Sequence, residues 1–144
     1  MDSKGQRTLS DEQYSLLYKT SFISLFSALY ALYKNHYSVA FVPGCIFLTS
    51  INYWKNPTLR KKYIDITCVK IMITYQIIRA YKSENYYPYY TVLFIGISCY
   101  PLALYFSSKK MYWYSVYAHS MMHVIGNISH IILYSGYITK KHIQ

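Results

Sequence analysis

Acidic side chains are scarce in this sequence. The only ones are Asp2, Asp11, Glu12, Asp65 and Glu84, and of these only Asp65 stands at the mouth of an apolar block. A single carboxylate at membrane depth is too little to build an ion path, where intramembrane acids normally come in chains. Cysteine is nearly as sparse. Cys45, Cys68 and Cys99 are odd in number, form no C-x-x-C pair and all fall inside apolar blocks. On that pattern buried small residues are the better reading than a disulfide frame, and no pair suggests a cysteine metal site. Internal repeats and low-complexity tracts are also missing, and no appended soluble domain is expected. The first nine residues, MDSKGQRTL, contain no apolar run of the kind a cleavable signal carries, and read as the start of a short cytosolic tail.

Charge overall is low. Charged residues make up 14% of the 144, against roughly 25% in a soluble domain, while hydrophobic residues make up 53%. The apolar residues fall in blocks. Residues 35–54, 85–108 and 111–139 contain no Asp, Glu, Lys or Arg. Each block is close to the ~20 residues a helix needs to cross a ~30 Å hydrocarbon core. The fold class expected is therefore all-α, a polytopic membrane helix bundle of about five spans. These are placed at 13–33, 37–54, 64–81, 88–107 and 112–137, between a tail at 1–12 and another at 139–144. The third span is the most polar, interrupted by Asp65, Lys70, Gln76 and Arg79, and is tolerable only with its polar face turned into the bundle. Pro43 and Pro101 are expected to kink the second and fourth spans, and Gly126 to permit a close helix contact in the fifth. Ser10 and Gln13 form a capping-box pattern at the start of the first helix.

The net charge of +10 would suggest nucleic acid in a soluble protein. Here the basic residues lie mostly between spans, so anionic lipid head groups are the expected partner and nucleic acid is not. Five spans put the termini on opposite sides. Lys4, Arg7, Lys55, Arg60, Lys61, Lys62, Lys109 and Lys110 fall on one side, and Lys34, Arg79, Lys82, Lys140 and Lys141 on the other. The heavier side carries the N-terminus, which is assigned to the cytosol. Many of the 20 tyrosines, with Trp54 and Trp113, sit where blocks begin or end, as interfacial aromatics do. An AT-rich genome would enrich tyrosine too.

The last block carries the chemistry. His119, His123, Asn127 and His130 are spaced four, four and three residues apart. On a helix they share about 80° of arc, one polar stripe. An H-x-x-x-H pair can put two imidazoles on one metal; the plainer role for such groups is hydrogen bonding to neighbouring helices. Depth adds a constraint. Ser50, Asp65, His119 and His123 fall in the same half of the bilayer, the two histidines roughly 10–17 Å in, with His130 about 10 Å deeper than His123. His36 lies at the opposite face. His119 and His123 project from one face and cannot take opposite axial positions, so no haem is expected.

Ser50-x3-Trp54-x10-Asp65, followed by His119-x3-His123, resembles the CREST superfamily, which includes the alkaline ceramidases and the progestin/adiponectin-type receptors. That family's pattern is a Ser, a His four residues on, an Asp opening the next span, and H-x-x-x-H in the last of seven spans. The resemblance implies a zinc-dependent intramembrane hydrolase of lipid amides, with zinc as cofactor. His119, His123 and Asp65 would be metal ligands and Ser50 and Asp65 the catalytic pair. Trp54 stands where the first ligand histidine belongs, and five spans replace seven. Two functions are thus expected in competition. One is a non-catalytic membrane scaffold or subunit, whose buried polar cluster packs against a membrane-protein partner; the other is a zinc hydrolase, active or decayed.

Overall fold

The computed structural model describes residues 8–138. Residues 1–7 and the tail from 139 lie outside the described part, and with them Asp2, Lys4, Arg7, Lys140 and Lys141 of the charge count. The chain is all-helical: α1 (Asp11–Ser21), α2 (Ile23–Tyr33), α3 (Tyr37–Lys55), α4 (Leu59–Ala80), α5 (Tyr86–Ser108) and α6 (Tyr112–Ser135). Among the described residues there is no strand, only an isolated antiparallel bridge between Ser83 and Ile138.

α1 begins with the capping box, Ser10 Oγ accepting from the Gln13 N–H at 3.3 Å and Gln13 Oε1 accepting from the Ser10 N–H at 2.9 Å. At its other end the Thr20 and Ser21 hydroxyls both turn back onto the Leu17 carbonyl. Such back-bonding loosens a helical ladder, and the chain tightens to three-residue hydrogen bonds on either side of Phe22. Phe22 itself keeps right-handed helical angles, so α1 and α2 run on as one rod, Asp11–Tyr33. The six helices therefore make five rods.

Two of the connections are the same turn. Asn35 and Lys110 both sit at φ 59° just past a helix end. In each, that residue and the next donate back to carbonyls of the last helical turn (Asn35 to Leu32, His36 to Ala31; Lys110 to Ser107, Met111 to Phe106). These paired bonds are a Schellman closure, a role glycine usually fills.

The rods pack as an open arc in the order α5, α6, α1–α2, α3, α4. α5 and α6 form the most extensive pairing. They approach closely at Gly96, where an added methyl would meet the backbone N of Gly126 at 3.1 Å. α4 lies along α3 but barely touches α5, so the arc stops short of closing.

The interior has apolar ends and a polar waist. Tyr14, Leu17, Tyr53, Trp54 and Val116 fill one end; Val39, Tyr89, Leu93, Leu133 and Tyr134 are among those filling the other. Between them lie buried Ser24, Ser27, Ser50, His123, Asn127 and His130. The outer surface is the reverse, with Phe26 67% exposed, Leu48 60%, Ile78 68% and Phe94 74%. Two rods, Asp11–Tyr33 and Tyr86–Ser108, are long and apolar enough to cross a membrane. The other three fall short because α4 carries charges, α3 carries asparagine, serine and aromatic residues of low hydropathy, and α6 carries three histidines and an asparagine besides such residues.

Candidate functional site

The gap between α4 and the α5–α6 pair is a groove. Its outer cavity, about 390 Å³, and its inner cavity, about 330 Å³, share Asp65, Ile66, Tyr100 and His119 on their walls. Both volumes fall in the ~300–1,000 Å³ range of small-molecule sites. Val69, Ile73, Ile97 and Met122 make the inner walls apolar, while Ser50, Lys70 and His123 add polar groups.

Ser50 and Asp65 are brought together. A short turn joins the end of α3 to the start of α4, and Thr58 caps α4 by accepting from the Lys61 N–H. That turn sets the first turns of α4 beside the last turns of α3. Asp65 Oδ1 then accepts from Ser50 Oγ at 2.9 Å and from Thr49 Oγ1 at 2.7 Å. Two hydroxyl donors on one oxygen compensate the desolvation of a carboxylate that is only 9% exposed. Thr49 was not singled out from the sequence. Its signal was its place beside Ser50, which puts a second hydroxyl near the face toward α4.

His119 and His123 stand together on α6, ring centroids 5.1 Å apart. His119 packs edge-on against Trp54 at 5.3 Å and 82°, with Tyr100 at 6.3 Å. His123 is buried, and among the described residues its Nε2 has no hydrogen-bond partner.

Asn127, on the same stripe, faces elsewhere. Its Oδ1 accepts from Ser27 Oγ at 2.7 Å, and its Nδ2 donates to Ser24 Oγ at 3.2 Å and to the His123 carbonyl at 2.7 Å. It joins α6 to α2. His130 lies against Tyr134, centroids 6.0 Å apart, with Nδ1 buried and unpartnered among the described residues. His36 is at the far end, its Nε2 3.1 Å from the Gly136 carbonyl. The stripe therefore divides into two groove-lining histidines, an interhelical amide and a packed imidazole.

The zinc that the CREST resemblance implies finds no fitting donor set. Among the described residues no three of His, Cys, Asp and Glu converge closely enough to hold a metal ion. Asp65 is held by the hydroxyls of α3, and the indole of Trp54 occupies the face of His119 toward α3. Ser50 has its own proton committed to Asp65.

Tyr100 and Lys70 are groove residues that sequence reasoning passed over. Tyr100 read as one aromatic among many, and Lys70 only as an interruption of a span.

Compared with protein-family models, with curated proteins and with solved structures, the chain matches none, so its own geometry has to carry the functional reading.

Proposed function

We propose that the chain is a multi-pass integral membrane protein of five crossings, N-terminus in the cytosol, that works by binding and not by catalysis, as a scaffold or subunit. The observation that carries the membrane part of this reading is the inverted distribution of polarity. Polar side chains are gathered at the waist of the interior while large apolar ones point outward at the same level. A soluble helix bundle has the opposite arrangement. Only 33% of the most apolar stretch of the first rod, and 17% of that of α5, is buried within the bundle, a low share for core helices of a soluble protein, which supports the membrane reading. The polar waist then needs either internal partners, as Asn127 has, or a polar groove, as His119, His123 and Asp65 have.

The test is membrane integration and sidedness. The chain should stay in the membrane fraction through alkaline carbonate extraction. Single substitutions Asn56→Cys and Ser108→Cys should react with an impermeant maleimide from the cytosolic side, and Asn35→Cys and Glu84→Cys from the opposite side. Release by carbonate, or labelling of all four from one side, would overturn the reading.

The non-catalytic half is tested by metal analysis of the detergent-purified chain. No stoichiometric zinc is expected. One zinc per chain, lost in His119→Ala, would restore the hydrolase reading.

A further inference from the structure

We infer that the outward face of α4 docks a single transmembrane helix of another protein, one that carries an aspartate or glutamate at mid-span opposite Lys70. This names the partner of the scaffold proposed above and rests on that membrane reading. Thr67, Lys70, Ile71, Thr74 and Ile78 are all exposed. At 100° per residue they share about 100° of arc, on the side of α4 away from its buried Gln76. The middles of the two longest apolar rods face outward differently, with Phe26 and Leu29 on one and Phe94 and Ile95 on the other. Hydroxyls near the middle of α5 are satisfied within the helix, Thr91 Oγ1 donating to the Tyr87 carbonyl at 3.1 Å and Ser98 Oγ to the Phe94 carbonyl at 2.8 Å. On α4 the side chains of Thr67, Lys70 and Thr74 have no hydrogen-bond or ionic partner among the described residues.

Depth and charge select the occupant. Lys70 is the twelfth of the 22 residues of α4, with about 15 Å of helix on either side. Its backbone therefore stands near the middle of a ~30 Å hydrocarbon core, where a full charge is costly unless paired. Lipid phosphates lie ~15 Å away, at the surface of that core, and the four-carbon stem covers only part of the distance. Lys19 of the first rod is a different case. It is only about 8 Å along the helix from Tyr14, whose ring neighbours Trp54 near the membrane surface, so it can reach the head groups. No carboxylate of the chain itself meets Lys70. Asp65 is turned about 140° from it around α4 and is bound by Thr49 and Ser50. Asp11 and Glu12 open the first rod, Asp2 precedes them, and Glu84 lies in the turn after α4. A second copy approaching by the same face would set Lys70 against Lys70. The remaining source of negative charge at this depth is a carboxyl on a foreign helix. Thr67 and Thr74, about one turn on either side of Lys70, are small enough to admit that helix closely and offer it hydroxyls. Lys70 also lines the inner cavity of the groove, which gives its amine a polar side to turn to until the partner arrives.

The experiment uses the full chain in phosphatidylcholine vesicles, with Trp54 and Trp113 as energy donors. The probe is a tryptophan-free polyleucine transmembrane peptide that carries a dansyl acceptor and either glutamate or leucine at its centre. The glutamate peptide should reach half-maximal energy transfer at a peptide-to-lipid ratio about five- to thirtyfold lower than the leucine peptide. Moving the glutamate two turns toward either end of the peptide should remove that advantage. Lys70 is exposed, so Lys70→Met leaves the packing intact and should remove the advantage too, while Lys70→Arg should keep it. Lys70→Glu should reverse the preference, toward a peptide with a central lysine. Equal transfer to the glutamate and leucine peptides, or an advantage that survives Lys70→Met, overturns the docking face. Loss of the advantage on adding phosphatidylglycerol also overturns it, and makes a lipid phosphate the partner of Lys70. If the chain remains in membranes through carbonate extraction while the advantage is absent, the docking face fails and the membrane reading stands.

Discussion

The Tyr134 hydroxyl stands 3.4 Å from the carbonyl oxygen of Val39. Pro43, four residues beyond Val39 in α3, has no N–H to offer that carbonyl. The tyrosine supplies the missing donor from α6, in a region where both residues are fully buried. This is how a proline is accommodated inside a packed helix. Tyr134→Phe should therefore cost ~1 kcal/mol. The cost should shrink when Pro43→Ala restores a backbone donor. Thermal unfolding of the two single variants and the double in detergent checks it; strictly additive effects would show that the two sites are not coupled.

Glycine is needed at one side of the α5–α6 contact and not the other. A methyl on Gly96 would press on the backbone of Gly126, which cannot swing aside, whereas a methyl on Gly126 meets nothing within 4 Å. Gly96→Ala should lower stability by ~1–3 kcal/mol. Gly126→Ala should leave it unchanged or raise it by up to ~1 kcal/mol, since glycine inside a helix is unfavourable in itself. Equal losses from both would contradict the asymmetry.

Asn127 and His130 sit three residues apart and should respond oppositely. Asn127→Leu strands the hydroxyls of Ser24 and Ser27 in the interior. That should cost ~1–3 kcal/mol. His130→Leu removes an Nδ1 that has no partner among the described residues, and should be neutral or stabilising. Unfolding midpoints of the two variants, measured together in one detergent, decide this.

The two Schellman turns carry side chains at a positive φ. Lys110→Gly should gain ~1 kcal/mol by relieving its Cβ from the left-handed region. Asn35→Gly should gain less, because asparagine tolerates that conformation and Asn35 Oδ1 accepts from Tyr37 Oη at 2.8 Å. A loss of stability in Lys110→Gly would mean that the lysine contributes a compensating interaction.

The helices were legible in the sequence and the site only partly so. Charge-free blocks, the Ser10–Gln13 capping box and the breaks near residues 34–36, 81–85 and 109–111 mark where helices run and stop. The third span, by contrast, was expected from 64, and α4 begins five residues earlier, at Leu59, because Thr58 caps it and the basic residues 60–62 are accommodated in its first turn. These are local features, and local hydrogen bonding decides them. The neighbourhood of Ser50 and Asp65 was legible for a similar reason, since one short turn separates their helices. Gly126 was read as the enabling glycine of the fifth block, but the residue whose Cβ has no room is Gly96, on the partner helix. A single sequence shows that two helices carry small residues without showing which one faces the other.

What lies beyond that is set by distances between rods. A stripe of four polar residues on α6 follows from 100° of turn per residue alone, and so does the inward direction of that stripe, once apolar residues occupy the other faces. Its division follows from packing over long separations. Ser24 and Ser27 come from about a hundred residues earlier to satisfy Asn127, Tyr134 stands over His130, and the unclosed arc leaves His119 and His123 beside a groove. Whether Asp65 reaches those histidines depends on how far α4 stands from α6, which side-chain volumes all round the arc determine. Trp54 contributes its share of that volume. A histidine would have aimed a nitrogen there, whereas the indole fills the space against His119 and forms a wall of a different pocket on its other side.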